Sequence, residues 1–257
     1  MIRSFINNQI QLSNKFDTYL PDTYSIDGHT DYKESLLPKY LKQNLTIYDV
    51  GGGKRPYITP EQKKDLNAKI IGLDIDREEL DKAPEGSYDK TICADIAQYE
   101  GDGDADLLIC QAVLEHVADV ENAFSTISSI LKPGGLALIF VPSKNAVFAR
   151  LNVVLPQKLK KALLYTIFPK TIQSQGFCSY YNKCTPREFK QLARDNDLSV
   201  MEEHYYYMSS YFSFFFPAYF AWRLWILLFH KVFKEQAAET FSLVLKKNDS
   251  VLSKTQG

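Results

Sequence analysis

The residues best placed to do chemistry lie in the first half of the chain. Asp49-Val50-Gly51-Gly52-Gly53 follows a short apolar run. Glycines there let the backbone turn sharply and let a ligand approach the main chain. Taken alone, such a turn is equally an ordinary tight loop. Its surroundings narrow the choice. A dinucleotide-binding turn has its third glycine three residues after the second, and this chain has Pro56 there, after Lys54 and Arg55. Asp49 ends the preceding strand, and a carboxylate repels phosphate but suits an ammonium group. Asp74, in IIGLDID, ends the next apolar run and has the acceptor geometry for two ribose hydroxyls. Asp95, in CADI, ends the third and suits an adenine amino group, with Ile96 beside the ring. Asp76 is read instead as a helix N-cap. Three carboxylates at successive strand ends describe a cationic ligand that carries adenosine.

The elements that must hold these residues are short continuous apolar runs alternating with helical segments. The runs are TIYDV (46–50), KIIGLDI (69–75), KTICADI (90–96), ADLLICQ (105–111) and LALIFVP (136–142). Continuous rather than alternating apolar character predicts a parallel sheet covered on both faces. Helices are expected over 1–20, from Lys33 to about Gln43, and from Val120 to Leu131. A further helix starts at Thr185-Pro186 with Glu188 in its first turn and runs to about Asp195. SVMEEHYYY (199–207) and ETFSLVLKK (239–247) read as later strands. Phe148, Leu151, Leu155, Leu159, Leu163 and Ile167 share a helical face over Phe148–Phe168.

The 257 residues carry a net charge of −1, so composition makes no electrostatic case for a nucleic-acid partner. Cys93, Cys110, Cys178 and Cys184 have no metal-ligand spacing and read as reduced cytosolic thiols, the first two in buried strands. Cys178 and Cys184 are near in sequence, with nothing that requires a bridge. Ile2, Phe5, Ile6, Ile10 and Phe16 are spread at helical spacing, which predicts an amphipathic helix and no signal peptide.

In order and spacing, DVGGGKR, GLDID, CADI, DLLICQAVLEHV and LKPGGLALIFVPSKN resemble the class I S-adenosylmethionine-dependent methyltransferases, in the small-molecule group that includes ubiquinone-biosynthesis enzymes. The likeness covers roughly residues 44–145. It implies an α/β, Rossmann-like fold with a seven-stranded, mostly parallel sheet and an antiparallel last strand. It implies S-adenosylmethionine as cofactor, with Asp49, Gly51, Gly52 and Gly53 at the methionine end. Asp74 then meets the ribose, Asp95 the adenine, and Cys110 or Gln111 the methionyl part, with Ile75 and Ile96 also among the cofactor-binding residues. One domain is expected over 1–257. Its parts are a helical lid (1–43), the cofactor-binding core (44–145), a helical insertion (146–184), and a C-terminal part (185–247) with a hydrophobic insertion (208–236) and a tail (248–257).

Methyl transfer from a sulfonium needs alignment and water exclusion more than a base. Catalytic residues are accordingly hard to read: His116 is a candidate base, and His29 and Tyr32 are candidate acceptor-side groups. In some quinone O-methyltransferases the stretch like Glu115-His116 supplies metal ligands, with an extra acid where this chain has Ala112. Without that acid no metal is expected. Residues 211–230, YFSFFFPAYFAWRLWILLFH, approach the length of a membrane span, but Pro217, Arg223 and the later strand argue against crossing. They read as an acceptor cavity, a dimer interface, or a monotopic contact with Arg223, His230, Lys231 and Lys234 toward headgroups. The expectation is a methyltransferase for a hydrophobic or lipid-linked small molecule, cytoplasmic or at a membrane face. The alternatives are a non-catalytic cofactor-binding scaffold and a nicotinamide-dependent oxidoreductase.

Overall fold

Apolar runs bounded by turns and helix caps pair into one seven-stranded sheet. The computed structural model describes residues 2–154, 178–208 and 212–249. Its strands are β1 (Thr46–Val50), β2 (Lys69–Asp74), β3 (Lys90–Cys93), β4 (Ala105–Gln111), β5 (Leu131–Pro142), β6 (Leu198–Tyr206) and β7 (Thr240–Lys247). Their spatial order is β3-β2-β1-β4-β5-β7-β6. β1 to β5 are parallel, and β7 runs antiparallel to both β5 and β6. The chain reverses direction across the sheet between β1 and β4, so the carboxyl ends of these strands flank a crevice.

Side chains alternate across a strand, and both faces of this sheet are covered, which is why the runs read as continuous. Tyr48, Val50, Leu73, Leu108 and Ile139 face one side. They pack with Phe124 and Ile127 of α6 (Val120–Ile130) and Phe189 of α8 (Pro186–Asp195). Ile47, Ile70, Leu107, Ile109 and Phe140 face the other, under Tyr32, Leu36 and Leu37.

Those three residues belong to a helical stretch that begins earlier than the expected Lys33. It consists of α2 (Gly28–Asp31), a π-helical turn (Tyr32–Leu36) and α3 (Leu37–Tyr40). Asp27 starts it by accepting from Thr30 N at 2.8 Å, an N-cap hidden within a segment that reads as polar turn. The shorter helices α4 (Pro60–Asp65) and α5 (Arg77–Asp81) follow β1 and β2. Asp76 caps α5 through Glu78 N and Glu79 N, as expected. Thr185 caps α8 with Pro186 in its first turn, also as expected.

α1 (Ile2–Asp17) packs against α9 (Phe216–Phe233), which carries most of the aromatic block. Two expectations are corrected here. Arg223 does not reach for headgroups; it is 1% exposed. Its Nε donates to Asp17 Oδ1 at 2.8 Å, and its Nη1 and Nη2 donate to the carbonyls of Tyr207 and Tyr24. His230 also turns inward, with Nδ1 2.6 Å from the Tyr24 hydroxyl. A cation in a helix apolar all round is stabilised by such partners and not by lipid. Cys93 is the other correction: it ends the edge strand β3 and is exposed, whereas Cys110 is buried. Of the helix expected over Phe148–Phe168, α7 (Val147–Val154) is seen and 155–177 lies outside the described residues. No helix of the described residues is long and apolar enough to cross a membrane.

Candidate functional site

A cleft of about 250 Å³ opens at the carboxyl ends of β1, β2 and β3 and over the turn after β4. Val50 and Gly51, Leu73 to Ile75, and Ala94 to Ile96 line three of its sides. The turn is shaped by what glycine lacks. Gly51 has φ +73, and a Cβ there would stand 2.2 Å from the Val113 side chain. At Gly52 a Cβ would stand 2.5 Å from both Asp49 carboxylate oxygens. Gly52 therefore wraps the acid, Gly53 lies against Asp74 and Glu79, and of the three glycines only Gly51 reaches the cleft wall.

Asp49 is 2% exposed. Its Oδ2 accepts from Tyr57 N at 3.0 Å and from the Tyr88 hydroxyl at 3.3 Å, while Oδ1 is buried with no partner. Burial raises its carboxyl to about 7, against those two hydrogen bonds, which favour the anion. An unmet acceptor beside a glycine turn is a place for a donor from a ligand. Asp74 is half-buried; its Oδ1 accepts from Asp76 N at 2.9 Å, and burial, then the Asp76 and Glu79 charges, push its carboxyl up. Asp95 accepts from Ala97 N at 2.8 Å through Oδ1. Ile75 is exposed at the cleft and Ile96 forms its apolar floor.

Cys110 and Gln111 do not line this cleft. Cys110 is in the core, where burial raises its thiol, and Gln111 is enclosed, with its carbonyl accepting from the Tyr57 hydroxyl at 3.1 Å. The contacts after β4 come instead from Ala112, Val113, Val117 and Ala118. Ala112 has φ +54, a left-handed conformation for a residue with a Cβ, and its N donates to Phe140 O. Tyr180 closes the rim from a distant part of the chain. No spacing signal marks it. The loop carrying it is pinned when Tyr180 N and Tyr181 N donate to the carbonyl of Glu115 at 2.8 and 3.0 Å.

His116 lines the cleft, and its Nδ1 lies 3.0 Å from Cys178 O. A carbonyl only accepts, so Nδ1 carries the proton and Nε2 is the basic nitrogen of the neutral ring. Glu115 Oε1 is 3.8 Å from that Nε2. Glu115 is buried, its Oε2 has no partner, and burial raises its carboxyl to about 8. Among the described residues no cluster of His, Cys, Asp and Glu is arranged to hold a metal ion. Tyr32 faces no cavity: it is fully buried and its hydroxyl donates to Leu138 O at 2.9 Å. His29 is exposed, edge-on to Phe140, and lines a second cavity on the far side of the glycine turn.

The residues fit a nucleoside that bears a cation. Two carboxylates reach the cleft, a third waits beneath its glycine turn, and no phosphate-binding cation is among the lining residues.

A family model described as a methyltransferase domain matches residues 27–203. The ubiquinone biosynthesis O-methyltransferase of Colwellia psychrerythraea is 29% identical over 125 residues, 46% of this chain and 50% of that protein. The tRNA 5-carboxymethoxyuridine methyltransferase of Escherichia coli is 29% identical over 149 residues, 51% of this chain and 56% of that protein. The chain spans between 50% and 65% of the length of these two and of two further relatives of the first kind. Among solved structures, an S-adenosylmethionine-dependent methyltransferase from Mesorhizobium loti superposes with a TM-score of 0.54 at 16% identity. That match covers 86% of this chain and 99% of the other, a likeness of fold.

Proposed function

This chain belongs to the methyltransferase-domain family, and from that membership we propose that it transfers a methyl group from S-adenosylmethionine to a hydrophobic or lipid-linked small molecule. The observation that carries the reading is the cleft at the strand ends, with Asp74 and Asp95 on its walls and the Asp49–Gly53 turn at one end. In this reading Asp74 accepts the ribose hydroxyls and Asp95 the adenine amino group, with Ile75 and Ile96 against the ring system. The Gly51 turn takes the methionine end, and the unmet Oδ1 of Asp49 lies under it to receive an ammonium donor. The cofactor supplies an activated methyl on a sulfonium, so the protein's work is alignment and the exclusion of water. Tyr180 and Val117 narrow the mouth, and His116 Nε2, the ring nitrogen turned from Cys178 O, would take a proton from an acceptor.

A small molecule is favoured over a tRNA acceptor because the net charge of −1 offers no phosphate-binding field. A second reading, contact with a membrane face, is supported by the outward side of α9. Phe220, Leu224, Trp225, Leu228 and Val232 are all exposed there. Isolated apolar residues on a surface need no explanation, but a continuous stripe does.

Calorimetric titration tests the main reading. S-adenosylmethionine and S-adenosylhomocysteine are expected to bind in the range of about 1–100 μM, with NAD inert. Asp74→Ala is expected to weaken both by about tenfold or more, the loss of a charge-assisted pair of hydrogen bonds. NAD binding, or no binding of either adenosine ligand, overturns the proposal.

A further inference from the structure

The chain just beyond the glycine turn, Arg55 to Tyr57, walls a second cavity of about 650 Å³, whose other side is formed by His29, Lys33 and Leu37. Its polar character is one-sided. Two permanent cations and an imidazole line it, and no carboxylate does. The cations on either side of Arg55 in the chain are neutralised elsewhere: Lys54 pairs with Glu79 at 2.9 Å and Lys63 with Asp89 at 2.8 Å. Among the described residues, Lys33 and Arg55 have no side-chain hydrogen bond or ion pair. Like charges left unpaired on one cavity repel each other, an arrangement that an anion between them relieves. Leu37, Pro38, Leu41 and Pro56 supply an apolar wall beside them.

The cavity also has a definite relation to the cofactor cleft. Arg55 N donates to Gly52 O, Tyr57 N donates to Asp49, and the Tyr57 hydroxyl donates to Gln111 O at the end of β4. His29 sits edge-on to Phe140 near the end of β5. Gly51 thus faces one cavity while Arg55 to Tyr57 face the other, around one turn.

We infer that Lys33 and Arg55 form an oxyanion site that holds the phosphate or carboxylate head of an amphiphilic ligand, with its apolar part against Leu37, Leu41 and Pro56. That this ligand is the methyl acceptor rests on the proposed function; the oxyanion site itself does not. A pair of cations in an apolar-walled cavity recognises the charge directly and the adjoining chain by burial.

The test uses the full chain and three probes: dihexanoylphosphatidic acid, the uncharged dihexanoylglycerol, and inorganic phosphate. Lys33 and Arg55 are exposed, so the Lys33→Ala/Arg55→Ala variant is expected to keep its unfolding temperature. Wild type is expected to bind the phosphatidic acid about tenfold or more tighter than the diacylglycerol, and the double variant to lose that margin. Lys33→Arg/Arg55→Lys, which keeps both charges, retains most of it. Competition by inorganic phosphate that vanishes in the alanine variant also supports the site and assigns it to the oxyanion alone. Equal phosphatidic acid binding by wild type and alanine variant overturns it. So does a variant that loses S-adenosylhomocysteine and not phosphatidic acid, because the cations then serve the cofactor's own carboxylate. If wild type binds phosphatidic acid through these residues but no adenosine ligand, the methyl-transfer reading falls and the oxyanion site stands.

Discussion

Asp49 and Glu115 are buried carboxyls, each with one oxygen unmet. Burial raises them to about 7 and about 8. A carboxyl that is harder to ionise in the folded chain than in the unfolded one keeps its proton on folding. Stability then falls as pH rises from the unfolded value, 4.5 for Glu115, up to about 8, where the loss is complete. Glu115→Gln removes this titration. Its unfolding temperature is expected to gain on wild type progressively between about pH 5 and about pH 8, by more than ~2 °C at the upper end. Parallel profiles for the two proteins would show that Glu115 does not titrate in this window. Asp49 follows the same sign, with a consequence for binding: an ammonium donor at Oδ1 favours the anion. Cofactor affinity is therefore expected to rise with pH through about 7, and a flat affinity profile would remove Asp49 from the ammonium site.

At the scale of elements, α9 is held by its charge and not by its apolar surface alone. Arg223 bridges α9 to α1 through Asp17 and to two backbone carbonyls from other segments. Tyr219 donates to the same aspartate and lies under the guanidinium. Removing one member leaves the other charged and enclosed, which costs about 3–5 kcal/mol. Urea unfolding of Arg223→Met is expected to report a loss of that size. Asp17→Asn/Arg223→Met is expected to lose clearly less than the sum of the two single changes. Additive losses would mean the pair is not an energetic unit. The orientation of the aromatic block was not legible in the sequence, because periodicity is blunt when nearly every face is apolar.

Over the whole molecule, the inward turn of Arg223 and His230 leaves α9 with an outward side that is almost wholly apolar, bounded by Lys231 and Lys234. Leu228 and Val232 are 65% and 70% exposed, so their replacement does not disturb the core. Wild type is expected to float with phosphatidylglycerol vesicles, and Leu228→Glu/Val232→Glu to stay in the aqueous layer. Failure of wild type to float with either phosphatidylglycerol or phosphatidylcholine vesicles would end the membrane reading. The exposed lysines predict a preference for the anionic vesicles.

The parallel sheet and the three strand-end carboxylates were legible because they depend on local pattern. A strand covered on both faces must be continuously apolar, and a ligand at its end needs a polar residue where the run stops. The caps at Asp76 and Thr185 are local in the same way. Asp27 was missed because the helix it starts lies among polar residues and gains its buried face only against the sheet. Cys93 looked buried because composition does not tell an edge strand from a central one. Tertiary structure alone decided that Ala112, Val113, Val117, Ala118 and Tyr180 complete the cleft, and that Lys33 and Arg55 line one cavity. These depend on segments apart in the chain being brought together when the strands order themselves side by side, and no local pattern encodes that order.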